Sequence, residues 1–297
     1  MRTKIYPAPA APSTKIDGGD LAARLGLHRA GRGWRGDCPL CGYRGSLALD
    51  VRGNQHLIWC SNCADRAGLA RLLRAEGVPH VPPPAERLPR AAPDATARIA
   101  RAAAIWRGAE PIEPGSPAAK YLENRRISHA MNSAALRWRP DVPHPAGGRR
   151  IALLAAVTAP DGSFAGVQRV FVKPDGRKAD IEPAKASLGV VAGGACRLAD
   201  PEGGALVIGE GVETSAAAGA ILGLPAWSAI SAGNLGRSLI LPPAIRSVVI
   251  AVDHDMAGQA AAREAWRRWT REGRHVRLAT PRKAGSDFAD LAMGGVR

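Results

Sequence analysis

Ala205-Leu206-Val207-Ile208-Gly209-Glu210-Gly211 and, farther on, Ser247-Val248-Val249-Ile250-Ala251-Val252-Asp253-His254-Asp255 decide the fold of this chain. Runs such as Ala205–Ile208 and Ser247–Val252 are β-branched, lack polar alternation and are bounded by Gly and Pro, the pattern of strands covered on both faces of a parallel sheet. In such sheets the carboxyl ends of the strands border the ligand crevice, which places Glu210, Asp253 and Asp255 at its edge. Three converging carboxylates repel one another unless a cation sits among them. Hard oxygen ligands with water-filled positions suit magnesium or manganese, and a divalent pair can clamp the oxygens of a phosphoryl transfer. Glycines on both sides of Glu210 would let a metal or phosphate approach the backbone. One strand-end acid alone reads more simply as a solvated residue or a helix cap. The conjunction of Gly-Glu-Gly with Asp-x-Asp is what singles out the site.

This motif pair resembles the Toprim family, the metal-binding domain of bacterial-type primases, type IA and type II topoisomerases and certain nucleases. The matching stretch runs from about Gly204 to Leu291, and it specifies the domain rather than the reaction. The resemblance implies that Glu210, Asp253 and Asp255 hold Mg2+ or Mn2+. It also assigns Asp287, in Ser286-Asp287-Phe288-Ala289-Asp290-Leu291, to the third acidic element, with Asp290 a weaker candidate. The alternative for Asp287 is a cap on the terminal helix.

The chain has 297 residues and 46% hydrophobic content, enough for about two domains with a real core. Its 41 Lys and Arg against 26 Asp and Glu give a formal charge of +15. A cationic surface gains from counterion release on a polyanion, nucleic acid first, although a high-Arg, high-Ala composition also follows from coding bias. The longest apolar stretch, around Ile151–Val157, is far too short for a membrane span, and the Pro/Ala-rich start lacks the apolar core of a secretory signal. A cytoplasmic location is therefore expected, where cysteines read as metal ligands before disulfides.

Residues 1–19 read as a tail and 20–77 as a zinc ribbon, with Asp20 predicted to cap a short helix through Leu27. Cys38-Pro39-Leu40-Cys41 and Cys60-Ser61-Asn62-Cys63 are two Cys-x-x-Cys knuckles separated by 18 residues. Each knuckle can turn two thiolates onto one tetrahedral cation, and the two close a four-sulfur, structural Zn2+ site. The segment between them reads as a hairpin turning at Arg52-Gly53-Asn54. Trp34 and Arg35, with Arg32, Arg44, Tyr43 and Trp59 nearby, offer cations and stacking faces for single-stranded DNA. Packing of the small ribbon core competes for both tryptophans and is the stronger reading for Trp59. Cys196 reads as a small core residue.

Residues 78–93, rich in proline, read as an extended spacer that tethers the ribbon without docking it. Residues 94–203 read as a small mixed α+β subdomain. It has helices from Asp94 to Arg107 and from Ser116-Pro117 to about Arg126, then strands over 151–158 and 163–172 about a Pro160-Asp161-Gly162 turn. By the same resemblance residues 204–297 are expected to be the Toprim domain, a Rossmann-like parallel sheet in an overall α/β architecture. Glu213, in the first turn of the helix after Glu210, reads as an acid placed to suit the helix dipole. Ser231–Gly236 reads as a loop, and His254 as pointing away from the site.

A ribbon followed by a Toprim domain resembles DnaG-like primases, and four Cys ligands place the resemblance nearer the phage and plasmid branch. It implies basic residues ahead of the Toprim domain that meet nucleotide phosphates and template: Arg169, Lys173 and Lys185, with Lys185 in the best-matching motif, Lys-x-x-Leu-Gly. It also implies nucleoside triphosphates and single-stranded DNA as substrates and a replicative helicase on a separate chain, with no membrane partner. No Gly-x-x-x-x-Gly-Lys-Ser/Thr phosphate loop is present, which excludes a fused helicase or a nuclease carrying its own ATPase. The tyrosines are Tyr6, Tyr43 and Tyr121, none placed for a topoisomerase nucleophile. The expected activity is thus DNA primase. A non-catalytic RecR-like DNA clamp and a Toprim metal-dependent nuclease are the alternatives.

Overall fold

The structure is a computed structural model and describes residues 16–31, 33–40, 42, 44–52, 55–60, 66–77, 95–283 and 285–294. Residues 1–15 of the expected tail, the spacer at 78–93, Arg32, Tyr43, Cys41 and Cys63 lie outside the described residues; the tail ends earlier than residue 19, because Gly18 and Gly19 already belong to the first helix.

The N-terminal module begins with α1 (Gly18–Arg24). Its cap is Asp17, which accepts from Gly19 N at 3.0 Å, and not Asp20, which sits in the first turn where an acid suits the dipole. Four strands follow, β1 (His28–Ala30), β2 (Gly33–Gly36), β3 (Leu47–Arg52) and β4 (Gln55–Cys60), paired antiparallel in sequence order, and then α2 (Arg66–Ala75). The hairpin was legible in the sequence; its Gly53-Asn54 turn lies outside the described residues. Leu21, Leu47, Leu49, Leu69 and Leu73 form a small core with Cys38, and Cys60 packs against it.

The middle subdomain has α3 (Ala95–Arg107), α4 (Pro117–Asn124) and the antiparallel meander β5 (Leu136–Pro143), β6 (Arg149–Thr158), β7 (Phe164–Phe171), β8 (Lys185–Gly189). Ser116 caps α4, accepting from Ala119 N at 3.2 Å, and the chain leaves the helix through Arg126 at φ 55. In the β6–β7 turn Asp161 accepts from Ser163 N at 2.9 Å and Gly162 takes φ 88, which glycine reaches without strain. Alternation gives this sheet two buried faces. Ala152, Leu154, Val167 and Phe171 meet Ala102 and Ile105 of α3. Leu153, Ala155, Val157 and Val170 share a cluster with Tyr121 and Leu122 of α4 and with the C-terminal domain.

The C-terminal domain contains β9 (Cys196–Arg197), β10 (Ala205–Gly209), α5 (Val212–Leu222), β11 (Ala226–Ser228), β12 (Ser247–Ala251), α6 (Met256–Arg271), β13 (His275–Ala279) and α7 (Phe288–Ala292). Its sheet order is β13-β12-β10-β11-β9, parallel except for β9 at one edge. Val207, Val249 and Ala251 face the cluster containing α5 and α7. Leu206, Ile208, Val248 and Ile250 face the one containing α6. Both faces are covered, which is why the strands read as continuous apolar runs.

The segment expected to be a loop after Ile230 instead forms a π-helical turn over Asn234–Ser238. Buried Asn234 staples it: Nδ2 donates to Gly194 O and Ala229 O, both at 2.8 Å, and Oδ1 accepts from Gly193 N at 3.0 Å. Gly193 and Gly194 are about 40 residues away in sequence, so local composition could not reveal the turn. Among the described residues no helix is long and apolar enough to cross a membrane. Two ribbon glycines come near side chains of the rest of the chain: a Cβ on Gly42 would lie 3.3 Å from Met256 Cε, and one on Gly45 would lie 3.4 Å from Glu182 Oε1.

Candidate metal and nucleotide site

β10 and β12 pair in register to their last residues, Gly209 opposite Ala251, so Glu210 and Asp253 emerge side by side at the same sheet edge. Glu210 is buried and its backbone carbonyl accepts from Ser228 Oγ at 2.9 Å. Asp253 is half-buried as a residue, but its Oδ1 is buried and has no hydrogen-bond partner. Burial first, then Glu210, Asp287 and Asp255 in turn, push its carboxyl up to about 8, with Thr214 pulling the other way. Thr214, in the first turn of α5, also donates from Oγ1 to Asp287 Oδ2 at 3.4 Å.

The other two acids have structural duties as well. Asp255 caps α6, accepting from Gly258 N at 2.7 Å. Asp287 caps α7 in a capping box: its Oδ1 accepts from Asp290 N at 2.8 Å, and Asp290 Oδ2 accepts from Asp287 N at 3.1 Å. Both readings of Asp287 therefore hold together, since it caps a helix and contributes charge at Asp253. Among the described residues no group of three His, Cys, Asp or Glu forms a ready-made metal cage. An orphaned carboxylate oxygen amid three further acids does fit a hard divalent cation in chemistry and charge.

Gly209 serves packing before ligand access, because a Cβ there would stand 2.7 Å from Ser215 Oγ of α5. Gly211 meets only side-chain atoms at 3.6 Å and beyond, so the approach expected at both glycines is open at one. His254 turns aside as expected, with Nδ1 2.8 Å from Pro281 O.

Beside the acids stands a cationic group. Lys185, on the first position of β8, donates from Nζ to Glu213 Oε2 at 2.9 Å, and Tyr121 OH donates to Glu213 Oε1 at 2.5 Å. Glu213 is no exposed first-turn acid but a buried hub joining α4, α5 and β8. Its burial would raise the carboxyl, yet Lys185 and then Tyr121 outweigh that and hold it down at about 2. Burial, then Glu213, raises the Tyr121 hydroxyl above its ordinary value. Arg125 lies over the Tyr121 ring at 5.9 Å and interacts electrostatically with Glu213 and Asp287. Burial first, then Lys185, lowers the Lys178 ammonium. Sequence reasoning singled out Lys185 but undervalued Glu213, Tyr121 and Arg125. Their partners lie on other elements, and the one local clue was an acid in the first turn of an otherwise apolar helix.

Arg169 does not join this group. Side chains alternate along β7, so Gln168, donating to Ile230 O at 3.3 Å, and Val170 face the C-terminal domain, and Arg169 faces the α3 side with Val167 and Phe171. Its guanidinium is buried and donates to Pro143 O at 2.8 Å, Ala186 O at 3.2 Å and Ser187 O at 3.4 Å. It straps β7 to β8, which corrects the expectation of a phosphate contact. Lys173 lies in the turn beyond β7, ion-paired with Asp180 and part exposed.

In the ribbon, Gly36, Leu47 and Cys60 align across β2, β3 and β4, and Cys38 follows two residues after Gly36. Cys38 and Cys60 thus meet at one end of the sheet, and Cys60 Sγ lies 3.2 Å from Ser46 Oγ. That juxtaposition fits a shared thiolate site whose other two ligands would be Cys41 and Cys63. The tryptophans are exchanged relative to expectation. Trp34 aligns with Leu49 and Ile58 on the core face, against Gly18, under Arg29 at 4.4 Å. Trp59 is 44% exposed and shares the outer face with Arg35, with Ala48 between them. A one-residue offset along a strand decides which ring faces the core.

Residues 205–295 match the Toprim domain model, and residues 96–198 match a domain of unknown function (DUF7146). The C-terminal domain is therefore a Toprim domain, as its strand-end acids implied. No curated protein matches the sequence. Among solved structures the chain is similar to the Aquifex aeolicus primase (zinc-binding and RNA polymerase domains), at 14% identity and a TM-score of 0.46 over 95% of this chain and 81% of that one. It is also similar to the primase fragment of the bacteriophage T7 primase-helicase protein, at 13% identity and 0.42 over 89% and 95%. The RNA polymerase domain of Mycobacterium tuberculosis primase DnaG aligns at 17% identity and 0.44 over 67% and 79%.

Proposed function

We propose that this protein is a DNA primase of a phage, plasmid or other mobile element, a nucleotidyltransferase that makes short RNA primers on single-stranded DNA. The observation that carries this reading is the orphaned Asp253 carboxylate oxygen at a parallel strand end, beside Glu210 and across from the Lys185–Glu213 pair. An acidic pole and a cationic pole on one crevice suit a triphosphate together with its metal. A clamp needs only the cations.

Glu210, Asp253, Asp255 and Asp287 would hold Mg2+ or Mn2+, which when bound supplies positive charge beside the reacting phosphate oxygens. The chain's own groups position the substrate. Lys185, with Arg125 and Lys178 near it, neutralises triphosphate charge as pyrophosphate departs. Glu213 and Tyr121 fix the ammonium of Lys185, so little reorganisation is required when the nucleotide arrives. Lys173 lies outside this group and would contact nucleic acid from the exposed turn. A structural Zn2+ on Cys38, Cys41, Cys60 and Cys63 would hold the ribbon, whose outer face carries Arg35 and Trp59 for template. Trp34 supports that face from beneath. A replicative helicase would be a separate chain.

The test is incorporation of labelled ribonucleotides on a single-stranded DNA template with magnesium, comparing wild type with Asp253→Ala/Asp255→Ala. Short, template-dependent products from wild type alone are expected. If neither protein extends anything while both bind DNA equally, the RecR-like clamp replaces the primase. DNA breakdown in magnesium without nucleoside triphosphates would establish the nuclease.

A further inference from the structure

The outward face of α6 is unlike the rest of that helix. Arg263, Arg267 and Arg271 follow one another at four-residue spacing, with Trp266 beside them and 41% exposed. Ala261, Ala262, Ala265 and Trp269 take the buried side. Like charges at this spacing repel along a helix and cost a few tenths of a kcal/mol per pair. Among the described residues no carboxylate pairs with any of the three; Arg263 donates only to Gln259 Oε1 at 3.1 Å.

The neighbouring arginines show what an architectural role looks like here. Arg268 donates to Leu235 O, Gly236 O and Leu239 O, bracing the π turn. Arg274 donates to Leu241 O and Pro242 O. The three on the outer face brace nothing, and a large exposed indole among unpaired guanidiniums is the composition of a phosphate-and-base surface. Its position adds to this, because α6 starts at Asp255, and a helix of 16 residues reaches about 24 Å from that end.

We propose that the Arg263–Trp266–Arg267–Arg271 face is a second nucleic-acid contact, separate from the acidic crevice. It holds the sugar-phosphate backbone of single-stranded DNA outside the site, with Trp266 stacking on a base. The proposal rests on the nucleic-acid reading above but not on catalysis.

The experiment uses the full chain and a fluorescein-labelled single-stranded oligonucleotide longer than α6, titrated by anisotropy over a salt series. Arg263→Gln/Arg267→Gln/Arg271→Gln keeps helix-forming side chains at exposed positions, and an unchanged thermal melt verifies its fold. Loss of three phosphate contacts should flatten the log–log salt dependence by about 2. Trp266→Ala should weaken binding about fivefold or more with the salt slope retained. Unchanged affinity and slope in the triple variant would overturn the proposal, as would lost binding to phosphatidylserine vesicles with DNA binding intact. Primer synthesis is scored in parallel. Absence of primers from wild type that still binds DNA counts against the primase alone, whereas no binding by wild type removes both readings.

Discussion

Glu213 is a buried carboxylate and Asp253 a half-buried one, and their surroundings drive them in opposite directions. Asp253 faces Glu210, Asp287 and Asp255 and titrates near 8, so without metal the folded protein binds more protons there than the unfolded chain. Its contribution is complete below the ordinary 3.8 and is lost as pH rises to about 8. Asp253→Asn should therefore raise the metal-free melting temperature at pH 8, by several degrees if about 1–2 kcal/mol is recovered, and leave it unchanged near pH 4. Added Mg2+ should stabilise wild type more at pH 8 than at pH 6, because binding displaces a proton, and should not stabilise Asp253→Asn. Glu213 has the reverse sign. Held at about 2 by Lys185 and Tyr121, it stabilises the fold above its ordinary 4.5 and loses that contribution as pH falls through about 2. Glu213→Ala should cost about 3–5 kcal/mol at neutral pH, since it leaves Lys185 and Tyr121 without their partner. In denaturant melts its deficit should shrink in acid.

At the scale of elements, α6 is pinned to the site by its first turn. Gly258 approaches the end of β12 so closely that a Cβ would stand 2.5 Å from Asp253 O. Helix propensity alone would make Gly258→Ala stabilising by about 1 kcal/mol. Overpacking against the backbone should reverse the sign and destabilise the protein by about 1–3 kcal/mol, with Asp253 displaced and activity reduced. Asp255 separates cap from ligand. Asp255→Asn keeps a good N-cap and should leave stability nearly unchanged, whereas Asp255→Ala should cost about 1 kcal/mol. Both should lose metal-dependent activity, and equal melting temperatures for the two variants would dismiss the capping role.

For the whole molecule, the ribbon's core is small, while the two larger units share one cluster running from α4 through the middle sheet to α5 and α7. A strong chelator should therefore melt the ribbon early and leave the middle and Toprim units folding as one cooperative block, visible as a separate low-temperature transition by calorimetry. A single transition at an unchanged temperature would show that the ribbon needs no metal.

The sequence by itself determined the parallel strands, the acids at their ends, the hairpin of the ribbon, the β6–β7 turn and the Ser116 cap. Each rests on local pattern: unbroken β-branched runs, turn residues at fixed offsets, a hydroxyl before proline. Tertiary structure alone decided which side chains meet. Arg169 lies one residue from Gln168, which faces the C-terminal domain, and strand alternation sends it to the opposite face; the same offset turns Trp34 to the core and exposes Trp59. Glu213 became a hub because Tyr121 and Lys185 arrive from elements 92 and 28 residues away in sequence. Strand pattern is written in neighbours along the chain, whereas the environment of a carboxylate is set by whatever the fold packs against it.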